Sequence, residues 1–240
     1  MRHDRNKHDR NKYGQPVGTA VPGWVPCDVP SSAPMEGTYC RLERLDPARH
    51  ADDLIAGFMA APDDRDWTWW RTARPTDEAA FYADIARMAA RAGFIAYAIV
   101  DRATGRALGH AAYMGIEPEH GTIEVGAVNY TPALRRSRAG TEAMFLMMHR
   151  AFDELGYRRY EWQCHSLNAP SRRAAERFGF RLEGVFRQKL VTQGRNRDTA
   201  WYSILDGEWP PVKAAFLAWL DPGNFSPSGD QRSKLSQFRA

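Results

Sequence analysis

Apolar residues recur at helical spacing in some stretches of the chain and at alternating spacing in others. Leu54, Ile55, Phe58 and Met59 share one side of a helix that Pro47 opens. Phe81, Ile85, Met88 and Ala92 mark a second helix over about 77–91. The clearest stripe is Met144, Met147, Met148, Ala151, Phe152 and Leu155, which Gly156 stops. Strands are expected near 38–45, 94–101, 106–116 and 121–130, with a hairpin-like turn at Thr104-Gly105. A further strand near 158–164 puts Tyr160, Trp162 and Cys164 on one face. Asn168 then opens a short helix to Phe178, closed by Gly179. Strands near 181–192 and 198–205 precede a last helix over about 207–220.

This order implies an α/β fold. Consecutive strands form antiparallel hairpins, and the single strand–helix–strand crossover is parallel and right-handed. The expectation is a mixed, mostly antiparallel central sheet flanked by helices. Residues 39–220 form the domain. Residues 1–38 read as an extended arm, partly disordered, because nine Gly and Pro residues between 13 and 38 forbid a long helix or central strand. Trp24 either anchors this arm or floats free. Residues 221–240 read as a solvated C-terminal tail.

Composition narrows the function classes. The net charge of +4 is concentrated in the tails: residues 1–12 carry +3, residues 229–240 carry +2, and the remainder is −1. A nucleic-acid partner wants clustered charge on the domain itself, so none is expected. Cys27, Cys40 and Cys164 form no CxxC pair, and the histidines show no ligand spacing, so no disulfide scaffold and no metal is expected. The apolar run 94–100 is too short for a bilayer, and no apolar signal segment follows the charged start. A cytoplasmic protein without a membrane partner is the expectation. Motifs for dinucleotide binding, nucleotide hydrolysis, zinc hydrolysis and serine hydrolysis are absent.

Three segments carry candidate chemistry. In 121–130, alternation sends Ile123, Val125 and Ala127 to one face and Glu124, Gly126 and Val128 to the other. Glu124 is then either a desolvated base or an exposed carboxylate paired with an arginine. Arg135, Arg136, Ser137, Arg138, Ala139, Gly140 and Thr141 stand before the strongest helix, as a phosphate-binding helix start or a solvated basic turn. Asn168 and Ser171 begin the short helix, where Asn168 alone suffices as a cap.

In this combination and order, the three segments resemble the GCN5-related N-acetyltransferase (GNAT) superfamily. Within it they resemble the ribosomal-protein alanine acetyltransferase (RimJ/RimL-like) group. The phrase Asn168-x-x-Ser171, Ala174 through Phe180, Glu183-Gly184 and Arg187 carries the subgroup likeness. The resemblance covers about 39–220. It implies a central sheet with a splayed parallel strand pair, and acetyl-CoA as cosubstrate. It assigns Glu124 as general base, Ser171 as the acid for the leaving thiolate, and Asn168 as an amide touching the pantetheine arm or acyl group. The implied cofactor groove comprises Val128, Asn129, Arg135, Arg136, Ser137, Arg138, Ala139, Gly140, Thr141, Asn168 and Arg173. Arg138 stands where the family's loop has its first glycine, and a charge-assisted contact is expected there instead. The oxyanion donor is expected among the backbone N–H groups of 125–129, and Cys164 is read as a packed strand residue.

The resemblance implies a primary-amine acceptor, on a small molecule or a protein N-terminus, and a monomer or homodimer is expected. Trp67, Trp69 and Trp70, with Phe81 and Tyr82, form either an acceptor wall or a core edge. Asp63, Asp64 and Asp66 attract a cationic amine or only water. Arg187, Lys189, Arg195 and Arg197 meet an acidic acceptor or only water. Alternatives are transfer of a longer acyl group such as succinyl, and a non-catalytic acyl-CoA sensor.

Overall fold

The computed structural model describes residues 9–239. The disorder expected for the basic N-terminus falls mostly on residues 1–8, outside the described residues. Strands β1 (Asp9–Arg10) and β2 (Pro16–Val17) pair as a small antiparallel hairpin. The domain follows as β3 (Met35–Glu36), β4 (Cys40–Arg44), α1 (Pro47–Met59), α2 (Glu78–Ala89), β5 (Ile95–Asp101), β6 (Ala107–Glu117) and β7 (Thr122–Tyr130). It continues with α3 (Arg138–His149), β8 (Arg159–His165), α4 (Ala169–Phe178), β9 (Arg181–Thr192), β10 (Arg195–Leu205) and α5 (Trp209–Leu220).

The eight-stranded sheet has the order β3-β4-β5-β6-β7-β8-β10-β9. Every pair is antiparallel except β7–β8, which the α3 crossover joins in parallel as expected. One core lies between the sheet and α3, α4 and α5, and contains Met144, Met147, Met148, Tyr160, Trp162 and Phe216. The other lies under α1 and α2 and contains Leu54, Phe58, Trp67, Phe81 and Ile85. Caps fall where the side chains allow them. Asp46, Asp77, Ser137 and Asn168 each accept a backbone N–H at a helix start, and Gly179 ends α4 at φ 103°. The α3 stripe continues past His149 through one widened turn, in which the Leu155 N–H bonds the Arg150 carbonyl five residues back. Among the described residues no helix is long and apolar enough to cross a membrane.

Three expectations need correction. First, β10 starts at Arg195 rather than near 198. Gln193 and Gly194 both take positive φ (49° and 72°), a tight hairpin that brings Arg195 directly opposite Thr192. Second, Ala127 does not share a face with Ile123 and Val125. Two β7 residues face one β6 residue between the Ala112–Gly126 and His110–Asn129 pairs, and Ala127 sits at φ 49°. This bulge reverses the alternation, so Ala127 packs on the α1/α2 core while Val128 and Tyr130 join Ile123 and Val125 on the other. Third, residues 221–239 are not a solvated tail. Phe225 and Leu235 are buried, Trp219 donates to Gln231 and Arg239 donates to the Glu176 carbonyl, so the segment folds back over α4 and α5.

The N-terminal arm is anchored by Trp24, whose indole donates to the Glu119 carbonyl and lies against Gly121 with Arg158 over its ring. Further along it, Arg150 donates to the carbonyls of Ala33 and Pro34. The N–H groups of Thr38, Tyr39 and Cys40 all converge on the Glu142 carboxylate, which fixes the chain entering β4 against α3.

Candidate active site

The parallel pairing between β7 and β8 runs for three residue pairs and ends at Glu124 opposite Glu161. Beyond it β7 stays paired with β6 across the one-residue shift at Ala127, while its pairing with β8 has ended. Backbone groups of β7 past Val125 that point across the gap therefore have no partner in the β7–β8 ladder. The gap opens a cleft of about 1530 Å³, lined on one wall by Val125 through Tyr130 and on the other by Trp162 through His165.

Glu124 lies at the apex of this opening and is 5% exposed. Gln163 donates to its Oε2 at 2.8 Å. Burial pushes its pKa up to about 8; Glu161 across the ladder adds to this, and Arg71 and Arg197 oppose it. Glu161 is itself held by Arg159, which also grips Glu183 bidentately at 2.7 Å. The exposed, arginine-paired alternative for Glu124 does not apply, since no ion pair of Glu124 exists among the described residues. The carboxyl is poised near neutrality and faces the cleft.

On the opposite wall the Trp162 indole donates to Ser171 Oγ at 3.0 Å, and Asn168 Oδ1 accepts the Ser171 N–H at 3.0 Å. Asn168 thus caps α4 with its oxygen and leaves its amide NH₂ to the cleft. Cys164 is 5% exposed and burial raises its thiol pKa, the opposite of what an activated nucleophile needs. His165, the last residue of β8, accepts the Leu167 N–H.

At the far end of the cleft is the start of α3. Ser137 Oγ takes the Gly140 N–H at 2.9 Å, which leaves the first-turn N–H groups of Arg138 and Ala139 without an acceptor inside the helix. Gly140 serves the loop's own packing, since a Cβ there would come within 2.7 Å of the Leu134 carbonyl oxygen. Arg135 is held by Asp66 at 2.7 Å and by the Tyr130 carbonyl. Arg138 stacks between the rings of Tyr39 and Phe225, 4.8 Å from each, so its guanidinium rests on aromatic faces. Arg136 (φ 56°) and Arg173 are exposed and carry no ion pair among the described residues. Arg177, which the sequence reading left out of the cofactor groove, lies over Trp219 and donates to Thr141 Oγ1; burial lowers its pKa. A helix start with free N–H groups and four arginines without carboxylate partners, Arg136, Arg138, Arg173 and Arg177, suits a phosphate-bearing ligand such as the diphosphate of coenzyme A. The C-terminal segment walls the same end through Phe225, Asp230 and Gln231, which no local motif announces.

Of the three acidic residues at the acceptor end, Asp63 pairs with Arg65 and Asp66 with Arg135, while Asp64 makes no ion pair among the described residues. Trp67 is a core residue beside Phe58 and Phe81, Tyr82 is exposed away from the cleft, and Trp69 and Trp70 line it. The loop carrying them is tied to the β9–β10 turn, where Gln193 donates to the Trp70 carbonyl at 2.9 Å. Of the four basic residues flagged on β9 and β10, Arg197 alone enters the cleft. Arg187 lines a separate groove with Asp198, while Lys189 and Arg195 are exposed.

Comparison with known proteins agrees with this fold. A GCN5-related N-acetyltransferase from Brucella melitensis is 45% identical, with a TM-score of 0.88 over 91% of this chain and 99% of that one. A probable acetyltransferase of the GNAT family from Chromobacterium violaceum is 42% identical, with a TM-score of 0.75 over 81% and 97%. YnaD of Bacillus subtilis, an uncharacterized N-acetyltransferase, is 29% identical over 102 residues, 42% of this chain; the match spans 59% of that relative's length. The acetyltransferase (GNAT) domain model matches residues 41–181, more than half of the sequence, and the chain belongs to that family.

Proposed function

We propose that the protein is an acetyl-CoA-dependent N-acetyltransferase that acylates a primary amine by direct attack, with donor and acceptor bound together. The observation that carries this reading is one cleft with a buried carboxyl, Glu124, on one wall, a hydroxyl, Ser171, on the other, and an anion-binding helix start at its end. When bound, the thioester supplies the activated acyl carbon. Arg136, Arg173, Arg177 and the α3 N–H groups hold the phosphates, and Val128 and Asn129 lie along the arm that leads inward.

Glu124 takes the proton that the attacking amine must lose, directly or through water. An alkylammonium has no lone pair, and its pKa of about 10.4 makes a base necessary near neutrality. Backbone N–H groups of 126–129, past the last β7–β8 pair, stabilise negative charge on the carbonyl oxygen. Ser171 gives its proton to the departing sulfur as the C–N bond replaces the C–S bond. Cys164 takes no part, and no covalent acyl-enzyme is needed. The acceptor is a small molecule or a protein N-terminus.

Thiol release from acetyl-CoA, measured across a panel of amines with wild type and Glu124→Gln, tests the assignment. Amine-dependent release that Glu124→Gln slows at unchanged acetyl-CoA affinity supports it. Release indifferent to Glu124→Gln removes the base.

A further inference from the structure

We infer that Arg197 and Arg71 form a subsite for a carboxylate carried by one of the two reacting molecules. The inference rests on the transferase reading of this cleft and names the chemistry of its substrate. Arg197 is 9% exposed, yet its Nε has no hydrogen-bond partner, and the guanidinium makes no ion pair among the described residues. A buried guanidinium without a counter-ion is strongly disfavoured, and such groups are rare in folded proteins unless something completes them. Arg71, exposed on the Trp69–Trp70 loop, is a second cation facing the same space and disfavours the Arg197 charge, while Glu124 and Cys164 favour it without forming an ion pair or hydrogen bond with it. None of these belongs to the phosphate-binding loop 135–141, so coenzyme A phosphates seated there leave Arg197 unanswered.

The two arginines are brought together by the fold. Gln193, at the tip of the β9–β10 hairpin, ties down the loop bearing Arg71, and Arg197 stands four residues farther along β10. Both flank Glu124, so the anion sits next to the reacting centre. A planar guanidinium matches a carboxylate through two parallel N–H donors. The carboxylate belongs either to the acyl chain, as in succinyl-CoA, or to the acceptor, as in an amino acid. Polycationic amines are poor acceptors under either arrangement.

The test uses the full chain and two matched comparisons. Succinyl-CoA is set against butyryl-CoA as donor, and amino acids are set against their amides as acceptors, with wild type, Arg197→Gln and Arg197→Lys. The expected result is a preference for the charged member of one pair on the order of tenfold or more in kcat/KM. That ratio collapses toward unity in Arg197→Gln and is partly kept in Arg197→Lys. A preference in the donor pair assigns the carboxylate to the acyl group; one in the acceptor pair assigns it to the amine. Calorimetry of the same donors, and of the same acceptors in the presence of CoA, reads the preference without turnover. It separates the two claims, because absent turnover defeats the transferase reading while the binding ratio still decides the subsite. No preference in either pair, or one that survives Arg197→Gln, overturns the inference.

Discussion

The Trp162 indole N–H donates to Ser171 Oγ at 3.0 Å, so the Ser171 hydroxyl proton is free to point elsewhere. One lone pair of the oxygen is committed, and the rotor is steered toward the cleft or toward the Cys164 sulfur. The strand residue thereby orients the acid on the neighbouring helix. Trp162→Phe is expected to keep the ring packing against Phe178 and Phe180 and to lose this hydrogen bond, which contributes about 1 kcal/mol. Turnover should fall roughly fivefold with acetyl-CoA affinity unchanged. An unchanged kcat would mean that Ser171 needs no such orientation.

Glu124 makes two linked predictions. As the base, its loss in Glu124→Gln should cost on the order of 10² to 10⁴ in kcat/KM, and the wild-type profile should rise with pH through an apparent pKa near 8. Its folded-state pKa is raised, so the native state binds the extra proton and stability falls as pH climbs from about 4.5 to about 8. Above that window Glu124→Gln should be the more stable protein by a few kcal/mol, and below it the two should converge. Denaturant midpoints at pH 4, 6 and 9 check the sign; a constant difference would contradict the shift.

His110 has the opposite sign. Burial against Phe58 pushes its pKa down to about 4, so the unfolded chain binds the proton first as pH falls below about 6.5. Stability should be complete above about 6.5 and should drain away toward pH 4, by roughly 3 kcal/mol at most. His110→Leu should remove this acid slope. If wild type and variant lose stability in parallel between pH 6.5 and 4, the slope has another source.

Arg138 and Arg177 should separate packing from ligand binding. Arg138 stacks on Tyr39 and Phe225, so Arg138→Ala should loosen the 221–239 segment, read as faster amide exchange there, and change acetyl-CoA affinity little. Arg177, without a carboxylate partner, should weaken acetyl-CoA binding on the order of tenfold when changed to Ala. The reverse ranking would return Arg138 to the phosphate site.

The frame of the fold was legible because it follows from local rules. The α3 stripe, the Asn168 cap, the Gly179 stop and the parallel crossover each depend on residues close in sequence, and the carboxylate at Glu124 stood out in an apolar strand. What escaped depends on contacts between distant segments. The Ala127 bulge gives no local signal, since alanine rarely takes positive φ and nothing in 121–130 marks the slip. The Trp162–Ser171 bond joins a strand to the next helix, and the closing of the cleft by Phe225 needs a segment whose composition reads as a tail. Arg197 could be flagged only as one of four basic residues, because its isolation from counter-ions is a property of the packed structure.

Isothermal calorimetry of the purified chain with acetyl-CoA and with CoA tests the central claim most directly. The account predicts saturable one-to-one binding of both, weakened by Arg177→Ala and indifferent to Glu124→Gln. No binding would mean that the α3 start and its arginines do not hold the cosubstrate, and the transferase assignment would fall with them.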